Sequence, residues 1–339
     1  MNVLSLFNGM STGHTALDNV GIKVDKYYSS EIKPHAIKLT QHHYPDTIQV
    51  GDVTKWKEWD IDYSTIDMVL SGSPCQDLSI AGKRTGLYGS RSSLFFVFVD
   101  ILNHIKRLNP DVLFLQENVG SASRGDIGIM SRELGVYPVR INSSLVTAQR
   151  RDRYYWSNIR TNPDGLFGDI VTDIPQPKDR KIFFKDIITK GYTDRTKARA
   201  ILESEERPLV DKKKLYKRYR ELGMINIVFE KKEFVFEYRN TNGYKTLKNN
   251  SIINLKKNKE YRRIYDNKST ALLESNEPLF VNDNLELRIL NQTELERLQG
   301  FPDGWTSTLT RNHAASLLGD GWTLPIIEHI FSFINKKEL

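Results

Sequence analysis

The first 160 residues alternate short apolar runs with longer stretches whose apolar side chains recur every three or four positions, the pattern of strands joined by crossover helices. Strands are expected over 2–7 (NVLSLF), 26–30 (KYYSS), 47–50, 66–71, 112–116, 137–142 and 153–159. Helices are expected over 15–20, 33–42 and 94–108. Pro110 stops the last of these, because its ring lacks an amide hydrogen and clashes with the preceding turn. The repeated strand–helix order predicts an α/β fold, a mostly parallel Rossmann-like sheet with helices on both faces.

The texture changes after Asn158. Pro163, Pro175 and Pro177 punctuate a linker, and a lysine-rich stretch follows. Strands there are short and separated by polar turns, as in 227–238 and the NTNG turn at 240–243. From Leu287 the apolar periodicity returns, with helices expected over 292–298 and 324–334. A terminal segment that short cannot bury a core of its own, so it should pack back on the first domain. The expected organisation is a discontinuous domain of residues 1–160 and 288–339 with a smaller inserted domain of residues 161–287.

Charge sharpens that division. The net charge is +7, yet residues 178–268 hold 26 Lys and Arg against 13 Asp and Glu, which leaves 23 basic and 29 acidic residues elsewhere. Localised positive charge is the footprint of a phosphate-backbone partner, although a solvated lysine-rich face gives the same count. Cys75 is the only cysteine, which excludes an intrachain disulfide and a cysteine-rich metal site. The seven histidines form no HExxH pair, and His42 and His43 are adjacent, so no catalytic metal is expected. Met1 opens no signal-peptide pattern, and no apolar run reaches about eighteen residues. The expectation is a cytoplasmic protein with no membrane partner.

Several segments carry candidate chemistry. The turn after the first strand, with Phe7, Asn8, Gly9, Thr12 and Gly13, offers glycines where backbone can approach a ligand and present amides to it. Glu31 ends the second strand, where a carboxylate can accept ribose hydroxyls, and Asp52 follows the third, within reach of an adenine amine. Either acid equally serves as a helix cap. The loop Ser71-Gly72-Ser73-Pro74-Cys75 would hold a thiol at the carboxyl edge of the sheet, where open sheets bind ligands. Glu117 follows another apolar strand and would share that edge, or else cap a helix. Arg151 and Arg153 alternate along a strand, which puts both guanidinium groups on one face, suited to a base carbonyl and a phosphate.

In this order the segments resemble the cytosine-5 DNA methyltransferase family. The resemblance rests on the FxGxxxG turn at 7–13, Glu31, Asp52, Pro74-Cys75, Glu117-Asn118-Val119, the QxRxR at 149–153 and the stretch 288–302 (RILNQTELERLQGFP). It covers residues 1–160 and 287–339, and in Arg84-Thr85-Gly86-Leu87-Tyr88 and Leu318-Gly319-Asp320-Gly321-Trp322 it is similar to the catalytic domain of animal de novo enzymes. Many bacterial members have Gly-Asn where this chain has Gly319-Asp320-Gly321-Trp322. The resemblance implies an S-adenosylmethionine-dependent methyltransferase sheet and a target-recognition domain over 161–287. It implies a catalytic set of Cys75, Glu117, Arg151 and Arg153. Phe7, Asn8, Gly9, Thr12, Gly13, Glu31, Ile32, Asp52, Val53, Pro74 and Trp322 would hold S-adenosyl-L-methionine. Double-stranded DNA is the implied partner, with a restriction endonuclease as a genetic one. A transfer-RNA cytosine methyltransferase, a catalytically idle nucleic-acid-binding regulator and a nicotinamide oxidoreductase stay open as alternatives at this point.

Overall fold

A computed structural model of the chain describes residues 1–74, 93–164, 168–201, 211, 214–215, 218–219, 225–230, 235–240, 243–248, 280–281 and 287–334. In it the apolar runs of the first part become β1 (Asn2–Leu6), β2 (Lys26–Ser30), β3 (Ile48–Gln49), β4 (Met68–Ser71), β5 (Leu113–Val119), β6 (Val139–Asn142), the short β7 (Gln149–Arg150) and β8 (Asp152–Ser157). All but β7 join one sheet in the order β3-β2-β1-β4-β5-β8-β6. The first five pair in parallel, while β8 runs antiparallel to β5 on one side and β6 on the other. Parallel strands are covered on both faces, which is why Met68, Val69 and Leu70 are all fully buried and read as an unbroken apolar run.

The helices are α1 (Thr12–Asn19), α2 (Pro34–His43), α3 (Leu94–Leu108) and α4 (Arg124–Leu134). On α3 the buried residues Phe95, Phe98, Val99, Ile101, Leu102 and Ile105 follow the helical period. They form a core with Leu4, Leu6, Val69, Phe114 and Trp156. The helix ends at Leu108 with Asn109 as its cap, just ahead of Pro110. Sequence periodicity gave no sign of α4, whose segment contains Gly125 and Gly128 and buries only Met130, Ser131 and Leu134. Its caps supply the missing signal: Ser123 accepts the Asp126 amide at 3.1 Å, and Gly135 closes the helix at φ +72.

The chain forms two compact units. One comprises Met1–Ile187, Lys197–Glu206 and Gln292–Leu339, the other Ile188–Thr196 and Arg207–Asn291. The first unit therefore runs past residue 160, through the hairpin of β9 (Thr161–Asp164) and β10 (Asp169–Thr172) and the single turn α5 (Phe184–Ile187). It also takes in β11 (Ala198–Arg199), parallel to β7. Its last part is α6 (Gln292–Gln299), α7 (Arg311–Asp320) and α8 (Leu324–Phe331). Leu324, Ile326, Ile327, Ile330 and Phe331 of α8 are buried, and this helix packs on α1. Gly300, at φ +80, ends α6 so tightly against Pro325 that an added Cβ would lie 2.3 Å from the proline ring.

In the second unit the strands are β12 (Ile227–Phe229), β13 (Val235–Asn240), β14 (Gly243–Lys248), β15 (Phe280–Val281) and β16 (Leu287–Ile289). β12 pairs with β16 and β13 with both β14 and β15, all antiparallel. The Arg195 guanidinium lies 3.9 Å over the Tyr219 ring and donates to the carbonyls of Tyr219 and Ile225. This unit holds 21 Lys and Arg against 12 Asp and Glu, leaving 28 against 30 in the first, so the charge asymmetry follows the division into units. Among the described residues no helix is long and apolar enough to cross a membrane.

Candidate active site

The strand order reverses between β1 and β4: the chain passes from β1 outward to β2 and β3, then crosses back to β4 and β5. Open parallel sheets bind ligands outside the carboxyl ends of the strands at such a point. Leu6 is paired with Ser71, and Ser71 with Gln116. The turn that begins at Phe7, the loop that begins at Gly72 and the side chain of Glu117 therefore start side by side.

The turn is held in unusual backbone. Phe7 and Ser11, neither of them glycine, sit at φ 55 and 58, a conformation that costs energy and persists where surrounding structure enforces it. A Cβ on Gly9 would meet nothing nearer than the Phe7 carbonyl oxygen at 4.0 Å, so the turn faces open space. The Gly9 amide donates to Glu31 Oε2 at 2.8 Å, while Glu31 Oε1 accepts the amides of Ile32 and Lys33. Ile32 beside it is 70% exposed. A fixed carboxylate, an exposed apolar side chain and an open turn at the switch point fit the ribose and adenine of a nucleoside group.

Other residues expected at that site have packing or capping contacts of their own. Asn8 is buried inside the turn, donating to Ser11 Oγ and accepting the Tyr27 hydroxyl. An added Cβ on Gly13 would lie 2.4 Å from Leu70 Cδ1, so this glycine brings α1 onto β4. Thr12 is buried at the start of α1, and Val53 belongs to the core under α3. Asp52 caps the 3-10 turn Val53–Glu58, accepting the Thr54 amide and hydroxyl at 2.9 Å each. Those two hydrogen bonds hold its carboxyl below the usual carboxylate range.

Cys75 lies outside the described residues, and Pro74, half-buried, is the last described residue before it. What leads into Cys75 is firmly anchored. Ser73 Oγ, buried, accepts Gln116 Nε2 at 2.9 Å and Asn118 Nδ2 at 3.5 Å, which ties the end of β4 to β5. Glu117 is buried, and each of its oxygens takes one donor: Arg153 Nε reaches Oε1 at 2.6 Å and Trp322 Nε1 reaches Oε2 at 3.2 Å. The indole lies against Gly72, where a Cβ would stand 2.8 Å from Nε1. Trp322, expected at the cofactor, thus also touches the loop before the cysteine and the carboxylate.

The two arginines take different partners. β8 starts at Asp152, so Arg153 sits on the strand beside Val119 and turns to Glu117. Arg151 precedes the strand, is 3% exposed, and donates to the carbonyls of Gly321 at 2.9 Å and Ile201 at 3.4 Å. It holds the backbone next to Trp322. Sequence reasoning did not single out Gly72, Ser73, Gln116, Gln149 or Gln299 for the roles they take. Gln149 and Gln299 meet at 2.7 Å across 150 positions of chain. The only sequence signal for that meeting was that both fall inside segments noted for their spacing.

Residues 1–336 match the family described as C-5 cytosine-specific DNA methylase. The type II methyltransferase M.NlaIV of Neisseria lactamica is 24% identical over 96% of this chain and 97% of its own length. M.HpaII of Haemophilus parainfluenzae is 26% identical over 96% and 86%. The orphan methyltransferase M.SPRI of Bacillus phage SPR is 30% identical over 56% of this chain. The chain spans 43% of M.SPRI and 33% of the related phage enzyme M.Rho11sI, less than half of each. Among solved structures, Entamoeba histolytica methyltransferase EhMeth aligns over 100% of this chain and 99% of its own with a TM-score of 0.61 at 13% identity. A DNMT2 variant of Spodoptera frugiperda aligns over 98% and 99% with a TM-score of 0.57 at 16% identity, and both likenesses concern the fold alone. With the match running through all three segments of the first unit and the whole of the second, the chain belongs to the C-5 cytosine-specific DNA methylase family.

Proposed function

We propose that the chain is a DNA (cytosine-5-)-methyltransferase that transfers a methyl group from S-adenosyl-L-methionine to ring carbon 5 of a cytosine turned out of duplex DNA. The observation that carries this reading is the Glu117 carboxylate, bound by Arg153 at 2.6 Å at the carboxyl edge of the sheet, beside the Gly72–Pro74 loop that leads into Cys75. S-adenosyl-L-methionine, when bound, supplies an electrophilic methyl on a sulfonium. Glu31, Ile32 and the turn at Phe7 and Gly9 would hold its nucleoside part, with Trp322 as a packing surface.

Extruding the base costs a few kcal/mol, offset by stacking and polar contacts. The Cys75 thiolate adds to ring carbon 6, and electron density moves toward ring nitrogen 3, where Glu117 supplies a hydrogen-bonding carboxyl. Arg153 would bind the cytosine carbonyl oxygen. Carbon 5 then forms its bond to the methyl group as the methyl–sulfur bond breaks. The carbon 5 proton leaves to water, and loss of the thiolate restores the ring double bond. Arg151 orders the backbone around this set. The basic second unit would serve as the target-recognition module, since neutralising phosphates and reading base edges need a positively charged surface of its own.

The test is incubation with labelled cofactor and either duplex DNA or transfer RNA. Label should enter duplex DNA, and Cys75→Ser should abolish transfer while leaving cofactor binding intact. Normal turnover by that variant refutes the covalent route, and a wild-type rate for Glu117→Gln removes that carboxylate from the site. Near-complete coverage of type II relatives extends the proposal to a cytoplasmic enzyme with a restriction endonuclease of matching specificity as genetic partner. Bisulfite sequencing of DNA from expressing cells names the target, and failure of that DNA to resist such an endonuclease removes the partner.

A further inference from the structure

We infer that Trp322 is a positioning residue for Glu117, acting through its indole N–H as well as by contact with the cofactor. The inference rests on the proposed function. It starts from how little freedom the indole has. Gly321, just before it, has its amide on the Leu317 carbonyl at 2.7 Å, and its own carbonyl accepts both Arg151 Nη2 at 2.9 Å and Gln299 Nε2 at 3.2 Å. A Cβ on Gly321 would stand 2.6 Å from Met10 Cε. Thr323, just after, shares its hydroxyl with Gln299 Oε1 and Ser143 Oγ at 2.9 Å each. With both neighbours fixed, the ring is directed over the Gly72 backbone, where any side chain would displace it.

From there Nε1 reaches Glu117 Oε2, and Arg153 holds the opposite oxygen. A carboxylate bound by one donor can still swing about that contact. One bound at each oxygen by donors from different elements, β8 and the segment after α7, has its plane set. Only a set plane presents a carboxyl to the edge of a cytosine ring without a reorganisation cost at the reacting moment. The same indole borders the loop that leads to the nucleophile, so one side chain from the far end of the sequence spans the cofactor side and the base side of the site.

The test is a double-mutant cycle in single-turnover methylation of duplex DNA, with cofactor affinity measured by calorimetry on each variant. Trp322→Phe keeps an aromatic ring at this position and removes the donor together with part of the indole's bulk. It should lower the rate about tenfold, the order expected for one hydrogen bond to a charged group, with cofactor affinity changed less than about threefold. In a Glu117→Gln background the same substitution should cost less than about twofold, because its effect runs through the carboxylate. An equal cost in both backgrounds, a wild-type rate for Trp322→Phe, or a loss of cofactor affinity that matches the loss of rate each overturns the inference. A Glu117→Gln variant as fast as wild type removes the carboxylate from the site and the inference with it, whereas a wild-type chain that transfers no methyl to DNA refutes the function on which it rests.

Discussion

Gln299 should be among the costliest polar residues to replace. It is fully buried at the end of α6, with Oε1 accepting Gln149 Nε2 at 2.7 Å and Thr323 Oγ1 at 2.9 Å. Its Nε2 donates to the carbonyls of Gly321 and Leu318. Gln299→Met keeps the volume and removes all four bonds. Three of the partners retain another contact: Gln149 with the Leu298 carbonyl, Thr323 with Ser143, and the Gly321 carbonyl with Arg151. The Leu318 carbonyl retains none among the described residues. Three lost bonds at about 0.5–1.5 kcal/mol each and one orphaned buried carbonyl at about 1–3 kcal/mol bracket the loss, and removing a buried amide relieves its own desolvation. A value toward the low end, about 3 kcal/mol, is the expectation. All five tryptophans, Trp56, Trp59, Trp156, Trp305 and Trp322, belong to the first unit, so indole fluorescence during urea unfolding reads that unit alone. With a denaturant slope of about 2–3 kcal/mol per molar, the midpoint should fall by about 1–1.5 M. Gln299→Ala should fall further, because it adds a cavity. A Met variant that unfolds within about 0.3 M of wild type refutes the accounting.

Two further outcomes follow from packing and charge. Gly13→Ala forces a Cβ to within 2.4 Å of Leu70 Cδ1 in a fully buried position, so it should destabilise by about 1–3 kcal/mol. Adding Leu70→Val, which removes the clashing atom, should recover part of that loss in the same unfolding assay, and strict additivity of the two changes would contradict the contact. His14 is stacked between Tyr27 and Tyr44 at 4.4 and 3.9 Å, and burial pushes its pKa below the ordinary value. The unfolded chain then binds the proton more readily than the folded one. Stability should fall as pH drops below about 6.5, with a smaller slope in His14→Phe, which keeps the stack; parallel pH curves for the two proteins would show that His14 does not titrate in this way.

The sheet was legible because its signal is local. Runs such as Asn2–Leu6 and Met68–Ser71 declare buried parallel strands within a few residues, and the helix over Leu94–Leu108 carries its own period and stop. α4 and α7 were not legible. The first is carried by its caps, and the second buries one unbroken run from Ala314 to Gly319, in which only Leu317 and Leu318 are large, so there is no helical period to read. Within the candidate site, strand ends were readable as places, which is how Glu31 and Glu117 came to be singled out. Their partners were not, because a hydrogen bond such as that from Trp322 to Glu117 joins residues 205 positions apart and depends on tertiary packing. Arg151 and Arg153 take different hydrogen-bond partners, which alternation along a strand does not specify.

The distance between those partners has a physical consequence for how such a chain can vary. The first unit is interrupted twice, yet Arg297 Nη1 on α6 donates to the Ile187 carbonyl at 3.1 Å, which pins the first exit from that unit to the helix on which the chain finally returns. Once those points are fixed, lengthening the intervening segment costs only loop-closure entropy, about 0.6 kcal/mol per doubling. The inserted part can therefore lengthen while Gln149, Gln299 and Trp322 keep their places. On these grounds substitutions in the Gln149–Gln299 ladder should impair transfer on every DNA sequence alike. Substitutions confined to the basic unit should change which sequence is methylated or how strongly salt weakens binding. A ladder variant that altered sequence preference while keeping full activity on some sites would contradict that separation.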